Sequence, residues 1–213
     1  MRVRHKPWAE GKLAEYPQIV VANPKLCCGE WYEVFGREAP LHVEIGTGKG
    51  QFITAMAQKH PEFDFVGIEL NASVIVTALD KCLESAVTNL RLIHADAHLL
   101  TDFFAENEID FLYLNFCDPW PKKKHEKRRL TYSSFLAQYD YVLKADGVIQ
   151  LKTDNQGFFE YSLESLSNYG MKLRDISLNL HEAADPNNVP TEYEEKFAAK
   201  GQRIYRCKAV CSE

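Results

Sequence analysis

Short apolar runs rich in branched residues recur along the chain at 41–45, 63–68, 90–94, 109–116 and 148–151. Between them, at 51–59, 73–85, 132–143 and 157–169, apolar residues return every three or four positions; Phe52, Ile53 and Met56 share one such face. The first pattern predicts buried strands and the second amphipathic helices. Strands alternating with helices build βαβ units, and hence a mostly parallel sheet with helices on both faces. Two further strand patterns, 172–180 and 203–210, are separated by a loop at 185–190 and a short helical pattern at 193–199. They predict an antiparallel hairpin-like pair closing one edge of a seven-stranded sheet. Residues 1–40 show no clear period and carry Pro7, Pro17, Pro24 and Pro40. They are expected to be an N-terminal extension, partly mobile, on a single domain spanning 1–213.

Composition is consistent with that organisation. A chain of 213 residues, 46% apolar, buries a sizeable core without help from metal or disulfides. No run of 18 apolar residues predicts a membrane span, and the basic start lacks the apolar stretch of a signal peptide. Six cysteines with no C-x-x-C spacing and one adjacent pair, Cys27-Cys28, argue against a disulfide framework and against zinc, and for a reduced, cytoplasmic setting. His94 and His98 flank Asp96 without a third ligand, so no metal is expected. Nothing implies an obligate protein partner; monomer and homodimer both remain open.

Charge changes the picture more. The net charge of -5 would disfavour a nucleic-acid partner if it were spread evenly, but residues 122–129 hold six Lys or Arg against one Glu. Residues 1–12 hold four against one, while acids collect elsewhere, as at Glu182, Asp185 and Glu192 to Glu195. A basic strip on an acidic body can still steer and hold RNA, although a charge run is also the usual make-up of a solvated loop. What sets this strip apart is the segment before it, Asn115-Phe116-Cys117-Asp118-Pro119-Trp120-Pro121. The prolines are expected to hold Asp118 and Trp120 extended. A rigid carboxylate and a ring beside a cationic run offer groups for a base and for its phosphates.

The first strand ends in Glu44-Ile45-Gly46-Thr47-Gly48-Lys49-Gly50. Its glycines allow a tight turn and close backbone approach to a ligand. The pattern is neither the dinucleotide fingerprint, which needs Gly or Ala at Gln51, nor a P-loop, since Val43 stands where the first glycine belongs. Acids follow at later strand ends: Glu69, placed to accept both ribose hydroxyls, then Asp96, suited to an adenine amino group, then Asp118. Four carboxylates converging on one crevice suit a cationic nucleoside ligand. The alternative is that each caps a following helix.

Glu-x-Gly-x-Gly-x-Gly with Glu69 and Asp96 resembles the S-adenosyl-L-methionine site of the class I, Rossmann-like methyltransferases. Adding Asp-Pro-Trp-Pro-Lys, the basic run, Lys152-Thr153-Asp154 and Thr191-Glu192-Tyr193-Glu194, essentially the whole chain closely resembles the bacterial tRNA (guanine-N7-)-methyltransferases. That resemblance implies cofactor contacts at Glu44, Gly46, Gly48, Glu69, Asp96 and Asp118, with Asp118 as the catalytic residue. It implies substrate contacts at Lys122, Asp154, Thr191, Glu192, Tyr193 and Glu194, and RNA contacts along Lys124, His125, Glu126, Lys127, Arg128 and Arg129. The expected substrate is the guanosine at nucleotide 46 of the tRNA variable loop.

The chemistry agrees with that reading. Guanine N7 carries a lone pair and no proton, so transfer needs alignment and no general base. Carboxylates such as Asp118 and Asp154 favour the positive charge that develops on the ring and can accept from N1–H and the amino group. Trp120 either stacks on the base or packs, and Cys117, Tyr16 and Trp31 are expected to pack. Thr191 to Glu194 also has the spacing of a capping box. An adenine-N6 methyltransferase is the first competing class, though its motif would not separate the prolines with Trp120. An RNA-binding protein with a vestigial cofactor fold is the second. A nucleotide-dependent oxidoreductase is more distant, for want of the fingerprint glycine.

Overall fold

The computed structural model describes residues 4–183 and 185–211; residues 1–3, 184, 212 and 213, including the first positions of the basic N-terminal motif, lie outside the described residues. Seven strands among the described residues are β1 (Leu41–Ile45), β2 (Asp64–Glu69), β3 (Leu90–His94), β4 (Ile109–Asn115), β5 (Leu143–Thr153), β6 (Lys172–Ser177) and β7 (Tyr205–Val210). They form one sheet in the order β3-β2-β1-β4-β5-β7-β6. β1 pairs in parallel with both β2 and β4, and β4 with β5; β7 runs antiparallel to β5 and β6. The expected architecture is therefore present, with β7 inserted between β5 and the edge strand β6.

Period-two alternation splits the strand residues between two cores. Val43, Ile45, Leu112, Leu114 and Leu151 face Trp31, Phe103, Phe135, Tyr139 and Phe159 on one side of the sheet. Phe65, Leu92 and Tyr113 face Leu13, Phe52, Ile53, Ile75 and Leu79 on the other. Helices α1 (Ala9–Ala14), α3 (Gln51–Lys59) and α4 (Ala72–Ser85) supply the second core. Helices α2 (Trp31–Phe35), α5 (Leu100–Phe103), α6 (Ser133–Val142) and α7 (Gln156–Asn168) supply the first. Burial on both faces explains why strands such as β1 read as near-continuous apolar runs.

Three boundaries differ from the sequence pattern. β5 starts at Leu143, directly from α6, whereas the apolar run began at 148. Leu143 and Val148 pair with β4 on either side of a register shift that takes up residues 144–147, and Lys144 Nζ reaches Asp110 at 2.8 Å. β6 ends at Ser177, and its register with β7 shifts between Arg174 and Ser177, where Asp175 has φ +49°. β2 extends to Glu69, which places that carboxylate within the strand end. Of residues 4–40, α1 packs on α4, and Val20 bridges to Leu92 at the β3 edge. Trp31 is buried, donates from Nε1 to Phe103 O at 2.9 Å and stacks on Phe104. No helix among the described residues is long and apolar enough to cross a membrane.

Candidate active site

Strand order reverses between β1 and β4, and a crevice forms outside the carboxyl ends of the strands where it does so. The β1–α3 loop on that edge turns three times through left-handed backbone, with φ +76° at Gly46, +60° at Gly48 and +79° at Gly50. Gly50 has a second reason to be glycine, since a Cβ there would lie 2.6 Å from Ala78 Cβ on α4. Gly46 has nothing near its missing Cβ. Its bareness therefore serves the turn rather than protein packing and leaves open space beside the loop.

The strand-end carboxylates divide by environment. Glu44 is buried, accepting from Thr47 Oγ1 at 2.6 Å and from Asn115 Nδ2 at 2.8 Å. Burial pushes its carboxyl up to about 7, against those two hydrogen bonds and the nearby Lys152 ammonium. Glu69 ties the glycine loop to β2: it accepts from Gly48 N at 3.1 Å and from Asn71 N at 2.9 Å. Asp96 caps the short 3-10 turn after β3, accepting from His98 N and Nδ1 at 2.9 and 2.8 Å. Burial raises its carboxyl, but the His98 bonds outweigh it and leave it below the ordinary range. The helix-capping alternative thus holds at Asp96 and not at the others. Asp118 is exposed, and no hydrogen bond to its side chain forms among the described residues.

The segment around Asp118 is more contorted than the prolines alone predict. Phe116 has φ +51° and Trp120 φ +41°, so Trp120 is left-handed where Pro121 led us to expect extended backbone. Arg129 holds that turn, donating from its guanidinium to Trp120 O at 3.1 Å and Pro119 O at 3.2 Å. Arg128 lies 4.8 Å over the indole ring and His125 meets it edge-on at 5.7 Å. These contacts offset the strain at Trp120, and the Phe116 N–H, donating to Lys152 O at 2.8 Å, holds the other positive-φ residue; such strain is usually met at functional sites. The basic run itself forms a 3-10 helix, Lys123–Arg128. Lys122, Lys123, Lys124, Lys127 and Arg128 are exposed, Glu126 and His125 are partly covered, and Arg129 also stacks on Tyr161 at 4.1 Å. Cys117 packs against the core.

The Thr191-Glu192-Tyr193-Glu194 segment opens α8 (Glu192–Ala198) with the full capping box. Glu194 is completely buried and forms an ion pair with buried Lys152 at 3.1 Å, while also accepting from Asn188 Nδ2 at 2.6 Å. Its carboxylate therefore positions the segment and has no surface to offer a ligand. Thr191 is buried as the cap, Tyr193 is exposed, and Glu192 pairs with Lys49 of the glycine loop at 2.8 Å. Asp154 is half-buried at the end of β5.

One cleft brings together Glu44, Gly46, Gly48, Thr191, Glu192 and Tyr193, its remaining wall including Lys49, Asn115 and Phe116. Glu69, Asp96, Asp118 and Asp154 stand outside that wall, on the same edge of the sheet. The sequence reading did not assign Asn115, Lys49 or Lys152. The one available signal was polar residues ending apolar strands, at Asn115 and Lys152.

A seven-stranded sheet of this order, with a glycine turn after β1 and acids at successive strand ends, defines a class I methyltransferase. Residues 38–207 match the family described as "Putative methyltransferase". A tRNA (guanine-N(7)-)-methyltransferase of Geobacillus kaustophilus is 61% identical over 210 residues, covering 99% of this chain and 97% of the relative. One from Halalkalibacterium halodurans is 56% identical, covering 98% and 95%. Among solved structures, a 16S rRNA (adenine(1408)-N(1))-methyltransferase from Catenulisporales acidiphilia with cosubstrate SAM shares the fold at a TM-score of 0.60 and 13% identity, covering 90% of this chain and 92% of that one. The chain belongs to the tRNA (guanine-N(7)-)-methyltransferase family.

The crevice suits the cosubstrate of that class, S-adenosylmethionine. Bare Gly46 opens onto the cleft, Glu44 in its ionised form would supply negative charge for a cation, and each Glu69 oxygen keeps a free lone pair. No group of His, Cys, Asp and Glu among the described residues is arranged to hold a metal ion.

Proposed function

We propose that this chain transfers a methyl group from S-adenosylmethionine to N7 of a guanine in tRNA, with nucleotide 46 of the variable loop as the target. The observation that carries this reading is near-full-length identity of 54–61% to relatives bearing that activity's name. S-adenosylmethionine supplies a methyl group made electrophilic by its sulfonium. The protein's task is alignment: N7 has its lone pair ready, so no residue need remove a proton. Asp118, exposed and free to pair, accepts from the guanine edge and stabilises the positive charge that grows on the ring. Asp154 at the neighbouring strand end is suited to the same work. Exposed Lys122 anchors the nucleotide, and Tyr193 with Glu192 closes the cleft side where the base enters. Lys124, Lys127 and Arg128 run along the tRNA backbone, and the reaction takes place in the cytoplasm. The test is transfer of label from S-adenosylmethionine to unmodified tRNA, followed by nucleoside digestion. Label in N7-methylguanosine supports the reading; label in N6-methyladenosine overturns it, and no label favours the vestigial binding protein.

Charge reversal of Lys124 and Lys127 to Glu is expected to weaken tRNA binding more than tenfold at moderate salt, while cofactor affinity stays put. The slope of log affinity against log salt should fall by about one for each phosphate no longer neutralised. Affinity unchanged at low salt would remove this strip from the RNA interface.

Glu44 adds a pH dependence. Its folded carboxyl is raised to about 7 by burial, so the folded state holds a proton that the unfolded chain releases near 4.5. Stability of the cofactor-free protein is therefore expected to fall as pH rises from about 4.5 through 7. Cofactor affinity should run the other way, rising several-fold between pH 6 and 8 as the ionised carboxylate meets a cation. Titration calorimetry across that range, with Glu44→Gln flattening the curve, checks both the sign and the group.

A further inference from the structure

The buried end of β4 holds a polar atom that the protein leaves unsatisfied. Asn115 is 7% exposed and forms part of the cleft wall between Glu44 and Phe116. Its Nδ2 donates to Glu44 Oε1 at 2.8 Å, whereas its Oδ1 is buried and meets no donor among the described residues. With Glu44 ionised, the form that a bound cation favours, the amide keeps this orientation, because its oxygen would otherwise face the carboxylate, acceptor against acceptor. A buried acceptor without a donor costs free energy, and native proteins keep such groups where a ligand or water completes them.

We infer that Asn115 Oδ1 is the acceptor for the α-ammonium group of the methionine portion of S-adenosylmethionine. This rests on the cofactor reading above. The missing partner must be a donor, and the cofactor offers three kinds: ribose hydroxyls, the adenine amino group and the ammonium. Glu69 and Asp96, the acids suited to the first two, lie at the ends of β2 and β3. Asn115 lies across β1 from them, on β4, which leaves it the methionine end. Its amide is already bonded to the Glu44 carboxylate, so a cation placed at Oδ1 is attracted by the charge as well as bound by the dipole. The pair divides the work, with Glu44 orienting the amide and supplying charge and Asn115 supplying the directional bond.

The test uses the full chain and two probes, S-adenosylhomocysteine and its analogue lacking the α-amino group, with affinities measured by calorimetry for wild type, Asn115→Ala and Asn115→Ser. Wild type is expected to lose tenfold or more when the amino group is removed, the range for a hydrogen bond to a charged group. In both variants that loss should shrink to threefold or less, because the acceptor is already gone. The ratio of two ligands within one protein does not depend on how stable the variant is, and the milder Asn115→Ser serves if Asn115→Ala folds poorly. An equal loss for both ligands in the variants would mean that Asn115 only supports Glu44, and would overturn the inference. So would an undiminished amino-group dependence, which would leave the orphan oxygen for the guanine or for water. Failure of wild type to bind either probe would instead sink the cofactor reading on which the inference rests.

Discussion

Asp118→Ala is expected to lower methyl transfer to tRNA by about 10²–10³-fold, the usual cost of removing one group aimed at charge that develops in a transition state. The variant should fold as well as wild type. Asp118 is exposed and makes no hydrogen bond to the described residues, so its removal leaves no buried group without a partner. Surface changes of that kind usually stay within about 0.5 kcal/mol. The local turn is held independently, by Arg129 on the Trp120 and Pro119 carbonyls and by Arg128 on the indole. A loss of rate with an unchanged melting temperature therefore reports chemistry. Asp118→Asn divides the effect further, because the amide keeps an acceptor oxygen but gives up the charge. A fall in kcat with little change in the KM for tRNA would assign the carboxylate to the growing charge on guanine. A rise in KM alone would assign it to base selection. Activity within threefold of wild type in both variants would move the role to another acid, with Asp154 first in line.

How far the sequence reached this site can be judged residue by residue. The glycine loop was legible because φ of +60° or more at Gly46, Gly48 and Gly50 restricts the residue type directly. The capping box was legible for a similar reason: Thr191 and Glu194 satisfy each other within one turn, so spacing alone encodes the contact. Strand-end acids were visible, but their partners were not. Glu44 meets Asn115 across 71 residues and Lys152 meets Glu194 across 42, and no local rule connects such positions. The same limit hid the split of the basic run, where Arg129 turns inward to hold the Asp118 segment while Lys124 and Lys127 face solvent. The left-handed Trp120 opposed the local preference set by Pro121, and only the tertiary contacts of its ring and carbonyl explain it. Local constraint gave the architecture and the turn chemistry; long-range pairing set which acids stayed free for a ligand.

The second large effect expected is on stability, at the Lys152–Glu194 pair. Both side chains are buried, 3.1 Å apart, and Lys152 also donates to Val189 O at 3.0 Å and to Asn188. Burial lowers the Lys152 ammonium from its ordinary value despite the Glu194 carboxylate, the mark of a charge retained at a cost. Glu194→Ala leaves that ammonium without its counter-charge and opens the capping box of α8. The expected loss is about 3–5 kcal/mol, or about 10 °C in melting midpoint for a chain of this size. Lys152→Met should cost a similar amount by stranding the carboxylate. The double variant Lys152→Met/Glu194→Leu should regain much of the lost stability, since paired burial is costly in itself. Activity should not follow stability in that protein. With Asn188 and Val189 released and the Thr191 cap half undone, the segment from 188 to 194 loses its tie to β5, and the KM for tRNA is expected to rise. If the double variant were as active as wild type, Glu194 would be a packing element alone. If Glu194→Ala melted within about 1 kcal/mol of wild type, the pair would have to be open to water. An unstable double variant would show that the lysine's bonds to 188 and 189, not the ion pair, hold this wall of the cleft.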